Sequence, residues 1–105
     1  MITTKHFDSF LLALDERRFY DAHEVLEELW FPVRFEKSTE VKLLKGFINA
    51  AVSFELFKKG RTDSAKKVWQ NYLKYKKLLL ETSAIKLPLY YKISQHIEFT
   101  KKSYI

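Results

Sequence analysis

His23, Glu24 and Glu27 stand in the order His-Glu-x-x-Glu, with Trp30 three residues further on. On a helix, a spacing of four residues brings an imidazole and a carboxylate within hydrogen-bonding reach, and imidazole is the side chain that gains and loses a proton near neutral pH. A pair of this kind is able to do general acid or base work. Trp30, seven residues from His23, falls on the same side and walls the pair.

The order shares its first half with the zinc-protease helix motif His-Glu-x-x-His, but Glu27 stands where that motif needs its second histidine. The match therefore fails at a ligand. Further along, Leu44, Ile48, Ala51 and Val52 share an apolar arc with Glu55 in its middle, and Asn49 lies beside that arc. Burying an unpaired carboxylate costs several kcal/mol, so Glu55 must meet a cation or histidine, keep its proton, or reach water at the helix end. Taken together, His23, Glu24, Glu27, Trp30, Asn49 and Glu55 form a candidate polar or ligand-binding cluster. One alternative is a metal-dependent or acid/base hydrolase centred on His23, Glu27 and Glu55. Against it, no nucleophile or phosphate-binding loop accompanies the pair, so no catalytic residue, resident metal or cofactor is assigned.

The fourth predicted helix interleaves Lys66, Lys67, Lys74, Lys76 and Lys77 with Trp69, Tyr72 and Tyr75, which makes weak nucleic-acid binding a further alternative. Its aromatics follow the spacing of a buried stripe, however, and arginine is scarce in this half. Charge is split along the chain: residues 1–55 hold 7 Lys/Arg against 10 Asp/Glu, and residues 56–105 hold 12 against 3. The halves thus carry −3 and +9, so the basic half can attract phosphate backbones or anionic membrane surface, or dock on the acidic half of its own chain or of a second copy.

These side chains need elements to hold them. With 2 Gly and 2 Pro in 105 residues, turn signals are too few for an all-β domain, while 9 Phe, 6 Tyr and 2 Trp supply enough bulk for one core. Thr3 or Thr4 is expected to cap a first helix carrying Phe7, Phe10, Leu11 and Leu14. Asp21, three residues before Glu24, reads as the cap of a second helix running to about Phe31, where Pro32 ends it. After a connection over 32–39, Ser38 or Thr39 caps the longest helix, Glu40 to about Lys59, which Gly60 terminates. Thr62 then reads as the cap of a fourth helix reaching about Thr82, with Ala65, Val68, Tyr72, Tyr75 and Leu79 as its buried stripe. Pro88 is expected to open a fifth helix with Leu89, Ile93 and Ile97 inside. No internal repeat is evident, because the two helical hairpins do not share the spacing of their large residues.

The block Phe19-Tyr20-Asp21-Ala22-His23-Glu24-Val25-Leu26-Glu27-Glu28-Leu29-Trp30, followed by Gly46-Phe47-Ile48-Asn49-Ala50-Ala51 and later Gly60, resembles the bacterial and archaeal family called domain of unknown function 309. The resemblance spans about residues 7–80. It implies a small all-helical fold able to self-associate, and no established activity, substrate or cofactor. His23, Glu24, Glu27, Trp30 and Gly46 fit the family pattern, whereas glutamine is common at position 49 and a Tyr-His pair at 55–56, where this chain has Glu55 and Leu56.

The expectation is therefore an all-α protein, one domain over 1–105, built as a compact bundle of four to five antiparallel helices. Phe10–Leu14 is too short an apolar run for a signal peptide and lies between Asp8 and Asp15, and no stretch approaches a membrane span. A cytoplasmic protein with no membrane partner follows, with self-association and an unidentified small ligand as candidate interactions.

Overall fold

The computed structural model describes residues 4–83 and 85–104. Five α-helices occur among them: α1 (Thr4–Asp15), α2 (Phe19–Trp30), α3 (Thr39–Lys58), α4 (Thr62–Lys76) and α5 (Leu87–Lys101). Short 3-10 turns extend α2 over Phe31–Val33, α4 over Lys77–Glu81 and α5 over Lys102–Tyr104. The helices form an antiparallel bundle with α3 at its centre, packed most extensively on α4 and α2, while α1 packs on α2 and α5.

The first helix buries Phe7, Phe10, Leu11 and Leu14, the face its spacing demands. Its expected cap falls on Thr3 and on the Thr4 side chain, outside the described residues. α2 starts at Phe19, two residues before the expected cap. Arg17 adopts a left-handed conformation that ends α1 sharply, and the carbonyl of Arg18 then receives the Ala22 N–H at 3.0 Å. Asp21 is already inside the helix, where its carboxylate takes the Arg18 guanidinium at 3.0 Å instead of capping.

Ser38 caps α3 as expected, its Oγ accepting the Val41 N–H at 3.2 Å. Gly60 ends that helix with φ +79°, a conformation open to glycine without steric cost. Thr62 is the first residue of α4 rather than its cap; the cap position belongs to Arg61, which supplies no side-chain bond. α4 lies close on α3 because Gly46 has no side chain: a Cβ there would stand 2.7 Å from Tyr75 Cβ. Ala65, Tyr72 and Leu79 are buried as expected; Val68 and Tyr75 are only half-buried, and Trp69 takes the vacant place in the core. α5 opens at Leu87, with Pro88 in its first turn where a missing N–H costs nothing.

The core is continuous from Phe7 on α1 to Ile97 on α5. Phe7, Phe47 and Tyr90 meet at its centre, with ring centroids 5.7 and 6.2 Å from Tyr90. Each such ring contributes roughly 1.5–3 kcal/mol by leaving water. The buried Tyr72 hydroxyl meets Ser94 Oγ at 2.7 Å and joins α4 to α5, while Tyr90 donates to Glu40 at 3.2 Å and joins α5 to the start of α3. Burial raises both phenols above the usual tyrosine range. No helix among the described residues is long and apolar enough to cross a membrane.

Candidate functional site

α2 carries four of the six candidate residues. His23 Nε2 lies 3.0 Å from a Glu27 carboxylate oxygen, and the His23 side chain is 20% exposed. The edge of the ring meets Tyr20, with centroids 5.7 Å apart. Against a carboxylate, Nε2 is most simply the protonated nitrogen, which leaves Nδ1 an acceptor. That atom is buried and has no hydrogen-bond partner. An orphaned buried acceptor costs about 1–3 kcal/mol. One ring nitrogen is thus occupied by Glu27 and the other is sealed, so the arrangement offers no free nitrogen to a substrate proton. Trp30 packs half-buried against the core. Glu24 and Glu27 line a shallow acidic recess of about 250 Å³ with Glu28 and Phe31, and Glu28 also stands 3.6 Å from His6.

Asn49 and Glu55 are engaged elsewhere. Asn49 donates to the Lys45 carbonyl at 2.7 Å and accepts from Asn71 on α4 at 3.4 Å. Glu55 pairs with Lys59 at 3.0 Å and is 21% exposed at the helix end. Six residues advance a helix by roughly 240° beyond a full turn, so Asn49 and Glu55 cannot face one neighbour together. No group of three or more His, Asp or Glu side chains among the described residues is placed to hold a metal ion. The ligand set His23, Glu27 and Glu55 needed by the metal-dependent alternative is therefore not assembled, because Glu55 is drawn to the cation four residues on.

Glu55 instead borders a charged cleft of about 570 Å³ between the α1–α2 corner and the end of α3. Glu16, Arg18 and Asp21 line its other wall. Arg18 donates to Glu16 at 2.8 Å and to Asp21 at 3.0 Å, hydrogen bonds that raise its guanidinium further above its ordinary range. These ion pairs satisfy one another and are exposed, where such pairs contribute little.

One apolar surface feature among the described residues was not read from the sequence. Leu73, Leu79, Leu80, Leu87, Pro88 and Tyr91 line an open apolar groove of about 1030 Å³, with Lys76 and Lys77 at its lip. A signal for it exists in Leu78-Leu79-Leu80: three consecutive leucines cannot share one helical face, and Leu80 is 90% exposed. The aromatics of α4, by contrast, are largely committed inward. Trp69 packs on Phe54 and Tyr72, and Tyr75 covers Gly46, so the nucleic-acid alternative keeps its lysines and loses its stacking platform.

No curated protein and no solved structure matches the chain. The model of one family does match, over residues 7–68, from the first core aromatic of α1 into the first half of α4, short of the groove. That match takes in more than half of the chain and the whole of the His23–Trp30 block, and the protein belongs to the family described as Domain of unknown function (DUF309).

Proposed function

We propose that this chain is a cytoplasmic helical interaction module, a single domain that associates with a second copy of itself, with the His23, Glu27 and Trp30 cluster fixing how α2 sits rather than performing chemistry. The observation that carries this reading is the crowding of exposed apolar side chains at one end of the bundle. Of the eight large apolar side chains more than half exposed among the described residues, Phe31, Phe35, Leu80, Ile85 and Tyr91 belong to this end, and Leu12, Tyr20 and Phe99 do not. The former lie on segments that meet where α3 begins: Glu40, in the first turn of α3, is 2.7 Å from Lys86 and takes the Tyr90 hydroxyl. Scattered surface apolar residues are ordinary, but a concentration of them with a groove marks a surface that another molecule covers. The engagement of one His23 ring nitrogen by Glu27 and the burial of the other support the structural role given to that cluster.

Light scattering coupled to size-exclusion chromatography tests the reading. The expected mass is twice that of the 12.6 kDa chain at tens of micromolar, falling toward one chain on dilution. A mass of one chain at every concentration up to the millimolar range would sink it.

A further inference from the structure

Two different surfaces share the end of the bundle where α3 begins. The first is an aromatic knob that follows α2. The Arg34 guanidinium lies 3.6 Å from the centroid of Phe31 and 4.5 Å from that of Phe35, and it also donates to the Phe31 carbonyl. This stack holds both phenyl rings out of the bundle, with Phe35 85% exposed. Exposed Glu24 and Glu28 line a recess with Phe31, and exposed Glu36 and Lys37 follow Phe35. The second surface is the aliphatic groove, with Lys76 and Lys77 in its lining and Lys86 and Lys92 exposed on the adjoining start of α5; Lys76 pairs with Glu98 and Lys86 with Glu40. Both surfaces are apolar; beside the knob glutamates outnumber Arg34 and Lys37, and beside the groove lysines outnumber the carboxylates by a small margin.

Resting on the self-association reading, we infer that the knob of one copy seats in the groove of the other, and reciprocally, so that the pair is held by two identical knob-in-groove junctions. An apolar cavity on the order of 150 Å³ holds one benzene ring, so a groove of about 1030 Å³ takes both phenyl rings and leaves the surrounding glutamates beside the lysines. Closure follows from placement. α2 runs antiparallel to α3 and ends beside its start, and α4, also antiparallel to α3, brings Tyr75 and Lys76 to the same end, where Lys45 lies over the Tyr75 ring at 5.9 Å. With both surfaces at one end, a two-fold axis through it satisfies both junctions at once. Aromatic and arginine side chains are the ones that most often carry binding energy at such contacts. Glu24, Glu28 and Glu36 against Lys77 and Lys92 favour this pairing over groove on groove, which would set lysine against lysine.

The test uses two exposed positions whose substitution leaves the core untouched, Phe35→Asp in the knob and Leu80→Asp in the groove, each checked for an unchanged helical circular-dichroism spectrum at 25 °C. Each variant alone is expected to lose the dimer, since both of its junctions are broken. Mixed one to one, the two variants recover a dimer, because the intact groove of Phe35→Asp receives the intact knob of Leu80→Asp. Raising salt from low to about 0.5 M weakens the wild-type dimer as the rim charges are screened. A wild-type dimer that neither variant disturbs, a mixture that stays monomeric, or a dimer that salt strengthens overturns the inference while leaving self-association standing. A wild type that is monomeric throughout removes both.

Discussion

Two corners of the bundle, one between α1 and α2 and one between α3 and α4, follow the same backbone path with different residues. At the first, Arg18 N–H reaches back to Ala13 O at 2.8 Å and Arg17 N–H to Leu14 O at 3.0 Å; at the second, Arg61 N–H reaches Leu56 O at 2.9 Å and Gly60 N–H reaches Phe57 O at 3.0 Å. The next residues are nearly superposable in conformation, Arg18 at φ −91°, ψ 70° and Arg61 at φ −90°, ψ 66°. Four residues on, Ala22 and Ala65 are each fully buried. What differs is the left-handed residue: Gly60 at φ +79° has no neighbour within 4 Å of where a side chain would begin, whereas Arg17 at φ +58° carries a full side chain. A non-glycine residue there costs about 1 kcal/mol or more. Arg17 offsets this by donating to Tyr104 Oη at 2.9 Å and Ser103 Oγ at 3.1 Å, and its carbonyl takes Lys58 Nζ at 3.0 Å. One corner stands alone, and the other is tied to the end of the chain.

The equivalence of the corners is tested most severely at their buried alanines. Ala22→Leu and Ala65→Leu each force extra volume into a closed space, and each is expected to lower stability by about 1–3 kcal/mol in urea unfolding. Losses of similar size support a shared packing plan. Tolerance at one position alone shows that the corners agree in backbone and not in what covers them. A smaller loss is expected from Gly60→Ala, about 1 kcal/mol, because the new methyl meets open space and only the left-handed strain is added. An unchanged midpoint would mean that the corner relaxes out of its left-handed turn.

The comparison also explains which parts of the fold were legible in the sequence. Ser38 and Gly60 announce a helix start and stop by residue type, and the Phe7, Phe10 and Leu14 stripe and the Ile93 and Ile97 pair announce buried faces by spacing. Asp21 and Thr62 misled for one reason. Each follows a corner whose left-handed turn sets the cap position at the arginine before it, and at the first corner no glycine marks that turn. Of the candidate site, the His23 and Glu27 pair was readable from the four-residue interval alone. Joining Asn49 and Glu55 to it asked two positions about 120° apart on α3 to face the same helix. Leu79 was read as buried and is, but the groove beside it went unread, because helical spacing tells which residues share a face and not where the bundle runs out of partners to cover Leu80.

The finest test of the comparison lies at Arg17, where two terms of similar size oppose each other. Arg17→Gly removes the strain and the contacts to Tyr104 and Ser103 together, so its net effect is expected to be about zero, within roughly 0.5 kcal/mol. Arg17→Ala removes the same contacts and keeps the left-handed strain, and it is expected to be less stable than Arg17→Gly by about 1 kcal/mol. The difference between the two variants, read from urea midpoints at equal slope, isolates the backbone cost, because neither retains the guanidinium. If alanine and glycine prove equal, then position 17 carries no strain to relieve. The contact with the chain's end would in that case be an addition to the corner and not the reason an arginine is tolerated where its twin has a glycine.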